Sequence, residues 1–134
     1  MAVDETRGGG GAPGGDDGAA TTEAAYRRAD ERGDADGAFN LGVRLAQRGD
    51  LEGAEAAYRR ADERGHAAGA ANLGVLLAQR GDPEGSEAAC RRADERGHAA
   101  GAFNLGVLLA QRGDLEGSEA AYRRADERGH AAVT

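Results

Sequence analysis

The chain is 134 residues long and carries a formal net charge of −7, with 17 Lys and Arg against 24 Asp and Glu. That length allows one domain or slightly less, and the acidic balance argues against nucleic acid, whose phosphates call for clustered positive charge. No apolar run approaches the length needed to span a membrane, and the N-terminus lacks the hydrophobic stretch of a secretion signal.

Cys90 is the one cysteine, so no internal disulfide can form, and a cytoplasmic location is expected. Lys, Ile and Trp are missing while Ala, Gly, Asp and Arg abound. This bias reads as a genome rich in G and C, and predicts a bacterial source.

Residues 1–18 contain the run GGGGAPGGDDG. It offers almost nothing to bury, and Gly-rich chain loses much entropy on ordering, so the expectation is a disordered tail. From Thr22 the sequence TEAAYRRADERG begins, and it returns as the second half of three longer segments. FNLGVRLAQRGDLEGAEAAYRRADERG starts at Phe39, ANLGVLLAQRGDPEGSEAACRRADERG at Ala71, and FNLGVLLAQRGDLEGSEAAYRRADERG at Phe103, each 32 residues after the one before. Three complete units and a leading half unit therefore make up a repeat domain over 19–130, followed by a short C-terminal tail, 131–134.

Each unit divides into two helical segments rich in Ala, Glu and Arg, all good helix formers. The leading B helix is expected near 19–32. A helices follow over 35–48, 67–80 and 99–112, and B helices over 51–64, 83–96 and 115–128. Gly49, Gly81 and Gly113 suit the left-handed geometry that ends a helix. Asp50, Asp82 and Asp114 then serve as N-caps, and Pro83 takes the first helical position, where its missing N–H costs least. Gly33, Gly65, Gly97 and Gly129 close the B helices. Connections this short make consecutive helices antiparallel.

The apolar stripe of the A helix is expected at Ala102, Leu105, Gly106 and Leu109, and that of the B helix at Leu115, Ser118, Tyr122 and Ala125. Gly42, Gly74 and Gly106 are expected to let helices approach closely. Glu119–Arg123–Glu127 and its equivalents at 23–27–31, 55–59–63 and 87–91–95 form i,i+4 ladders that read as a solvated face. Arg48, Arg80 and Arg112 stand at A-helix ends, where they would complement the helix dipole.

The segment NLGVLLAQRGDLEGSEAAYRRA resembles a tetratricopeptide repeat, with its Leu-Gly pair on helix A, Gly-Asp at the turn, and a small residue, an aromatic and an Ala (Ser118, Tyr122, Ala125) on helix B. The joins, RADERGHAAGAFNLG, are closer to the Sel-one-like variety. The unit is two residues shorter than the usual tetratricopeptide length. Ala38, Ala70 and Ala102 stand where that family has a large aromatic. The resemblance implies an all-α fold, a right-handed α-solenoid of antiparallel helix pairs with about seven helices. It also implies a protein-interaction scaffold, not an enzyme, that holds a peptide or partner protein in a concave groove lined by the A helices.

Carried onto this chain, the resemblance assigns the groove to Phe39, Asn40, Val43 and Gln47, then Ala71, Asn72, Val75 and Gln79, then Phe103, Asn104, Val107 and Gln111. The three asparagines can each offer a donor and an acceptor to an extended peptide backbone; alternatively they were copied with the repeat and bond locally. No position in the set is basic, so a neutral, partly apolar peptide is expected rather than an acidic tail.

Other constellations carry little chemistry. His66, His98 and His130 recur with the period, but equivalent positions in a helix stack lie about 8–10 Å apart. Zinc–nitrogen bonds need about 2 Å, so adjacent histidines cannot share an ion, and a capping or turn-filling role is expected. Cys90 stands where other units have Tyr26, Tyr58 and Tyr122, a position read as buried, with no histidine placed to activate it. No cofactor and no metal are expected. The alternative to a binding groove is a homo-oligomer formed by end-to-end stacking, because solenoid ends expose the faces that meet a neighbouring unit.

Overall fold

A computed structural model describes residues 15–129. It contains α1 (Gly15–Glu31), α2 (Ala35–Gln47), α3 (Leu51–Glu63), α4 (Ala67–Gln79), α5 (Pro83–Glu95), α6 (Ala99–Gln111) and α7 (Leu115–Glu127). Among the described residues there is no strand. Helix α1 starts at Gly15, ahead of the expected start at residue 19. Most of the expected tail 1–18, the C-terminal tail 131–134 and His130 lie outside the described residues.

The turns form for the reasons their residues suggest. Glycines 33, 49, 65, 81, 97, 113 and 129 all have φ between 84° and 91°, a region that side chains avoid. Beyond Gly49, the Asp50 N–H reaches back 2.8 Å to the Leu45 carbonyl, so the turn satisfies a terminal acceptor of α2. The Asp50 carboxylate then accepts the Gly53 N–H at 2.9 Å and opens α3, and Asp82 and Asp114 repeat the bond at Gly85 and Gly117.

Consecutive helices pack as antiparallel pairs, and α4 also meets α6, so the A helices (α2, α4, α6) stack along one layer of an all-α solenoid. Leu41, Leu73 and Leu105 are fully buried at its centre, each joined by a second leucine (45, 77, 109) one turn later. From the B helices come Ala54, Ala57, Tyr58 and Ala61 and their equivalents.

Close approach depends on the A-helix glycine. A Cβ on Gly42 would lie 2.6 Å from the Tyr58 ring, and one on Gly106 2.7 Å from that of Tyr122. Where the small B residue is a serine it also bonds across the pair: Ser86 and Ser118 Oγ donate to the carbonyls of Gly74 and Gly106, both at 2.7 Å.

One expected stripe position is corrected. Leu115 is 66 % exposed and its equivalent Leu51 51 % exposed. Each opens its helix directly after the turn, and a helical side chain leans toward its own N-terminus, here past the last packed turn and into solvent.

Candidate functional site

Side chains from α2, α4 and α6 form the surface expected to act as a groove. Gln47, Gln79, Gln111 and Val75 are exposed, while the three asparagines, Phe39, Phe103, Val43 and Val107 are half-buried. Ala71 differs: it is 3 % exposed and packs with Ala70 and Ala93 in the interior, so it presents no surface. Arg44 donates to Gln47 at 3.4 Å, which places a guanidinium at this edge of the first unit.

Aromatic rings fill the first and third units. Phe39 lies 5.9 Å from Tyr58 and stacks on His66 at 4.6 Å, and Phe103 lies 5.4 Å from Tyr122. Burial raises the Tyr58 pKa, opposed by a hydrogen bond with the Asn72 side chain. The middle unit has Ala71 and Cys90 in place of such an aromatic pair. Beside Cys90 is an open hollow of about 230 Å³ whose walls include Val75, Gln79, Asn104, Val107 and Gln111, all residues of the expected groove. Burial pushes the Cys90 thiol up to about 11, so the floor of this hollow is neutral and unreactive at physiological pH.

The charges are organised differently from the expected solvated ladders. Asp30, Asp62 and Asp94 are buried, with 3–5 % exposure. Arg60 and Arg64 both close on Asp30, at 2.6 and 2.8 Å. Arg92 and Arg96 close on Asp62 at 2.6 and 2.8 Å, and Arg124 and Arg128 on Asp94 at 2.6 and 2.6 Å. Burial alone would raise these carboxyls, but the paired guanidinium bonds and charges outweigh it and hold all three below the usual range.

Arg48, Arg80 and Arg112 bridge units rather than only facing a helix dipole. They reach Glu23, Glu55 and Glu87 at 3.0, 2.9 and 2.8 Å. The i,i+4 bonds from Arg27, Arg59 and Arg91 to those same glutamates are also present. Each glutamate thus joins its own helix to the end of the next one.

His66 caps α4. Its Nδ1 accepts the Gly69 N–H at 2.9 Å, and its Nε2 lies 3.0 Å from Asp36 Oδ1. A neutral ring protonated on Nε2 satisfies both contacts, and both nitrogens are engaged within the protein.

These elements are paired helices closed by Gly-Asp turns, with a small residue and a tyrosine of the second helix packed under a Leu-Gly pair of the first. Residues 93–132 match the family described as tetratricopeptide repeat. That stretch is similar to a tetratricopeptide repeat. The preceding units share its positive-φ glycines, its B-helix Asp caps and its buried leucines, while the caps of their A helices vary between Asp34 and His66. No curated protein matches the chain. Tetratricopeptide repeats are generally protein-interaction scaffolds, and the fold is typically non-catalytic. No helix of the described residues is long and apolar enough to cross a membrane.

Proposed function

We propose that this protein binds a peptide or a partner protein along the surface of α2, α4 and α6. The observation that carries the reading is the distribution of charge. The arginine–carboxylate pairs that join the B helices are satisfied among themselves, whereas the A-helix surface holds amides, valines and a hollow with apolar walls, with the Arg44 guanidinium at the edge of its first unit. A surface of that kind favours a neutral, partly apolar chain, with the asparagine amides taking backbone groups. The test is selection from a random peptide display library on the whole chain. Neutral sequences with apolar side chains are expected to be enriched, and the Asn40→Ala/Asn72→Ala/Asn104→Ala variant is expected to lose them. Equal enrichment by that variant would overturn the groove assignment.

A second reading, association of copies end to end, is favoured by one specific complementarity. Asp126 corresponds to Asp94 but is exposed, and Arg28 and Arg32 correspond to Arg60 and Arg64 but close on no carboxylate among the described residues. Asp126 of one copy can thus meet the free arginine pair of the next. Sedimentation at several concentrations tests this: a mass that rises with concentration and falls back in Asp126→Ala supports it, and a concentration-independent monomer removes it.

A further inference from the structure

We propose that the hollow between α4, α5 and α6 is a socket for one aromatic side chain of the bound partner, and that a phenolic hydroxyl seated there bonds Asn104. The assignment rests on the A-helix surface being the binding surface.

The protein supplies its own template for this socket. Tyr58 runs from α3 across Gly42, close enough that a Cβ there would lie 2.6 Å from the ring, and its hydroxyl is near enough to the Asn72 side chain on the following A helix for that amide to lower its pKa. One period later, Gly74 repeats Gly42 and Asn104 repeats Asn72, but Cys90 stands at the tyrosine position. The thiol fills only the start of the path: Sγ sits 2.5 Å from where a Cβ on Gly74 would be. Beyond it lies the 230 Å³ hollow, bordered by Cys90 at one side and Asn104 at another. Asn104, the counterpart of Asn72, makes no side-chain hydrogen bond among the described residues, so its amide is available to a phenolic hydroxyl.

Size and chemistry select the occupant. An apolar cavity of about 150 Å³ is enough to hold benzene, so this space admits a single six-membered ring. Val75, Val107 and Leu108 give it apolar walls, and the lining contains no carboxylate, which disfavours a lysine or arginine side chain. A phenylalanine would fill the space but leave the Asn104 amide without a partner, and that omission costs affinity. A tyrosine fills both needs, as Tyr58 does at the junction before.

The experiment is a titration of the full chain with p-cresol and, separately, with toluene, followed by amide resonances. p-Cresol is expected to give saturable shifts at Val75, Asn104 and Val107. Asn104→Leu should weaken p-cresol by about fivefold, the worth of one neutral hydrogen bond, and leave toluene unchanged. Cys90→Tyr should abolish both, because the protein's own ring then occupies the socket. Should Cys90→Tyr not fold, Val75→Trp, at an exposed position, blocks the mouth and should have the same effect. The proposal is overturned if p-cresol gives no saturable shifts at these residues, or if the blocking variants leave them unaltered. This outcome is separable from that of the groove reading: a socket that binds p-cresol in a protein that enriches no peptide sinks only the groove, whereas enriched peptides with no aromatic preference sink only the socket.

Discussion

Arg60 of α3 grips Asp30 of α1 at 2.6 Å across the join between two units, and does so at a carboxylate that is 5 % exposed. An acid buried to that degree must be compensated, and here both compensating cations come from the next unit. The contact is thus an interface term of the solenoid rather than a decoration of one helix.

The middle clamp should dominate stability. Asp62→Ala leaves Arg92 and Arg96 facing an uncompensated gap. Because both arginines keep some solvent contact, a loss of about 2 kcal/mol is expected. Asp126→Ala, at the exposed equivalent, should change stability by less than about 0.5 kcal/mol. Urea unfolding of the two variants checks the contrast, and equal losses would contradict it.

The same carboxylates set an acid limit. Asp30, Asp62 and Asp94 titrate below their ordinary range in the folded protein. Their contribution is therefore complete above the unfolded value of about 3.9 and disappears as pH falls through the lower folded value. Helicity is expected to hold from neutral pH to about pH 4 and to fall below it. Replacing all three with asparagine should weaken the protein at pH 7 and flatten the acid limb, as followed by circular dichroism; an unchanged limb would refute the linkage.

Gly42→Ala tests the close approach. The new methyl would collide with the Tyr58 ring at 2.6 Å. Overpacking of about 1–3 kcal/mol is partly offset by about 1 kcal/mol of better helix propensity, which leaves a net destabilisation of about 1 kcal/mol. In a Tyr58→Ala background the collision is gone and the same substitution should stabilise. A double-mutant cycle in urea gives the coupling, and additivity would rule out the steric account.

Loss of the imidazole cap gives a fourth outcome. His66→Ala removes the bond from Gly69 and the stack on Phe39, at a cost of about 1 kcal/mol or slightly more. His66→Asn restores a capping oxygen and should recover part of that loss in thermal unfolding. Equal melting of the alanine and asparagine variants would assign the effect to the stack alone.

Much of the fold was legible in the sequence because its signals are local. Gly-Asp pairs mark where helices end and begin, and the 32-residue offset repeats them in phase. The A stripe at 102, 105, 106 and 109 is buried throughout. The clamps were not legible from side chains one helical turn apart, since their partners lie 30 and 34 residues apart. A signal was nevertheless present: the B stripe through Tyr58 reaches Asp62 one turn later, and a charged residue on a buried stripe needs a partner. Leu115 misled in the opposite direction, being apolar on the stripe but placed beyond its packed end. For the proposed groove, the sequence singled out residues of the A helices and the Cys90 substitution, but the hollow beside that cysteine required three helices to be set around it.

The clamps also have a consequence for ancestry. Every inter-unit bond joins a residue to a partner at a fixed offset, so excising a whole period reconnects the chain without orphaning any group. Deleting 67–98, for example, brings Asp62 to the same spacing from Arg124 and Arg128 that it now has from Arg92 and Arg96. Gene slippage in steps of one unit can therefore lengthen or shorten the array while its joints still close, and the joints are indifferent to whether a unit carries a ring or, as at Cys90, a thiol under its A helix.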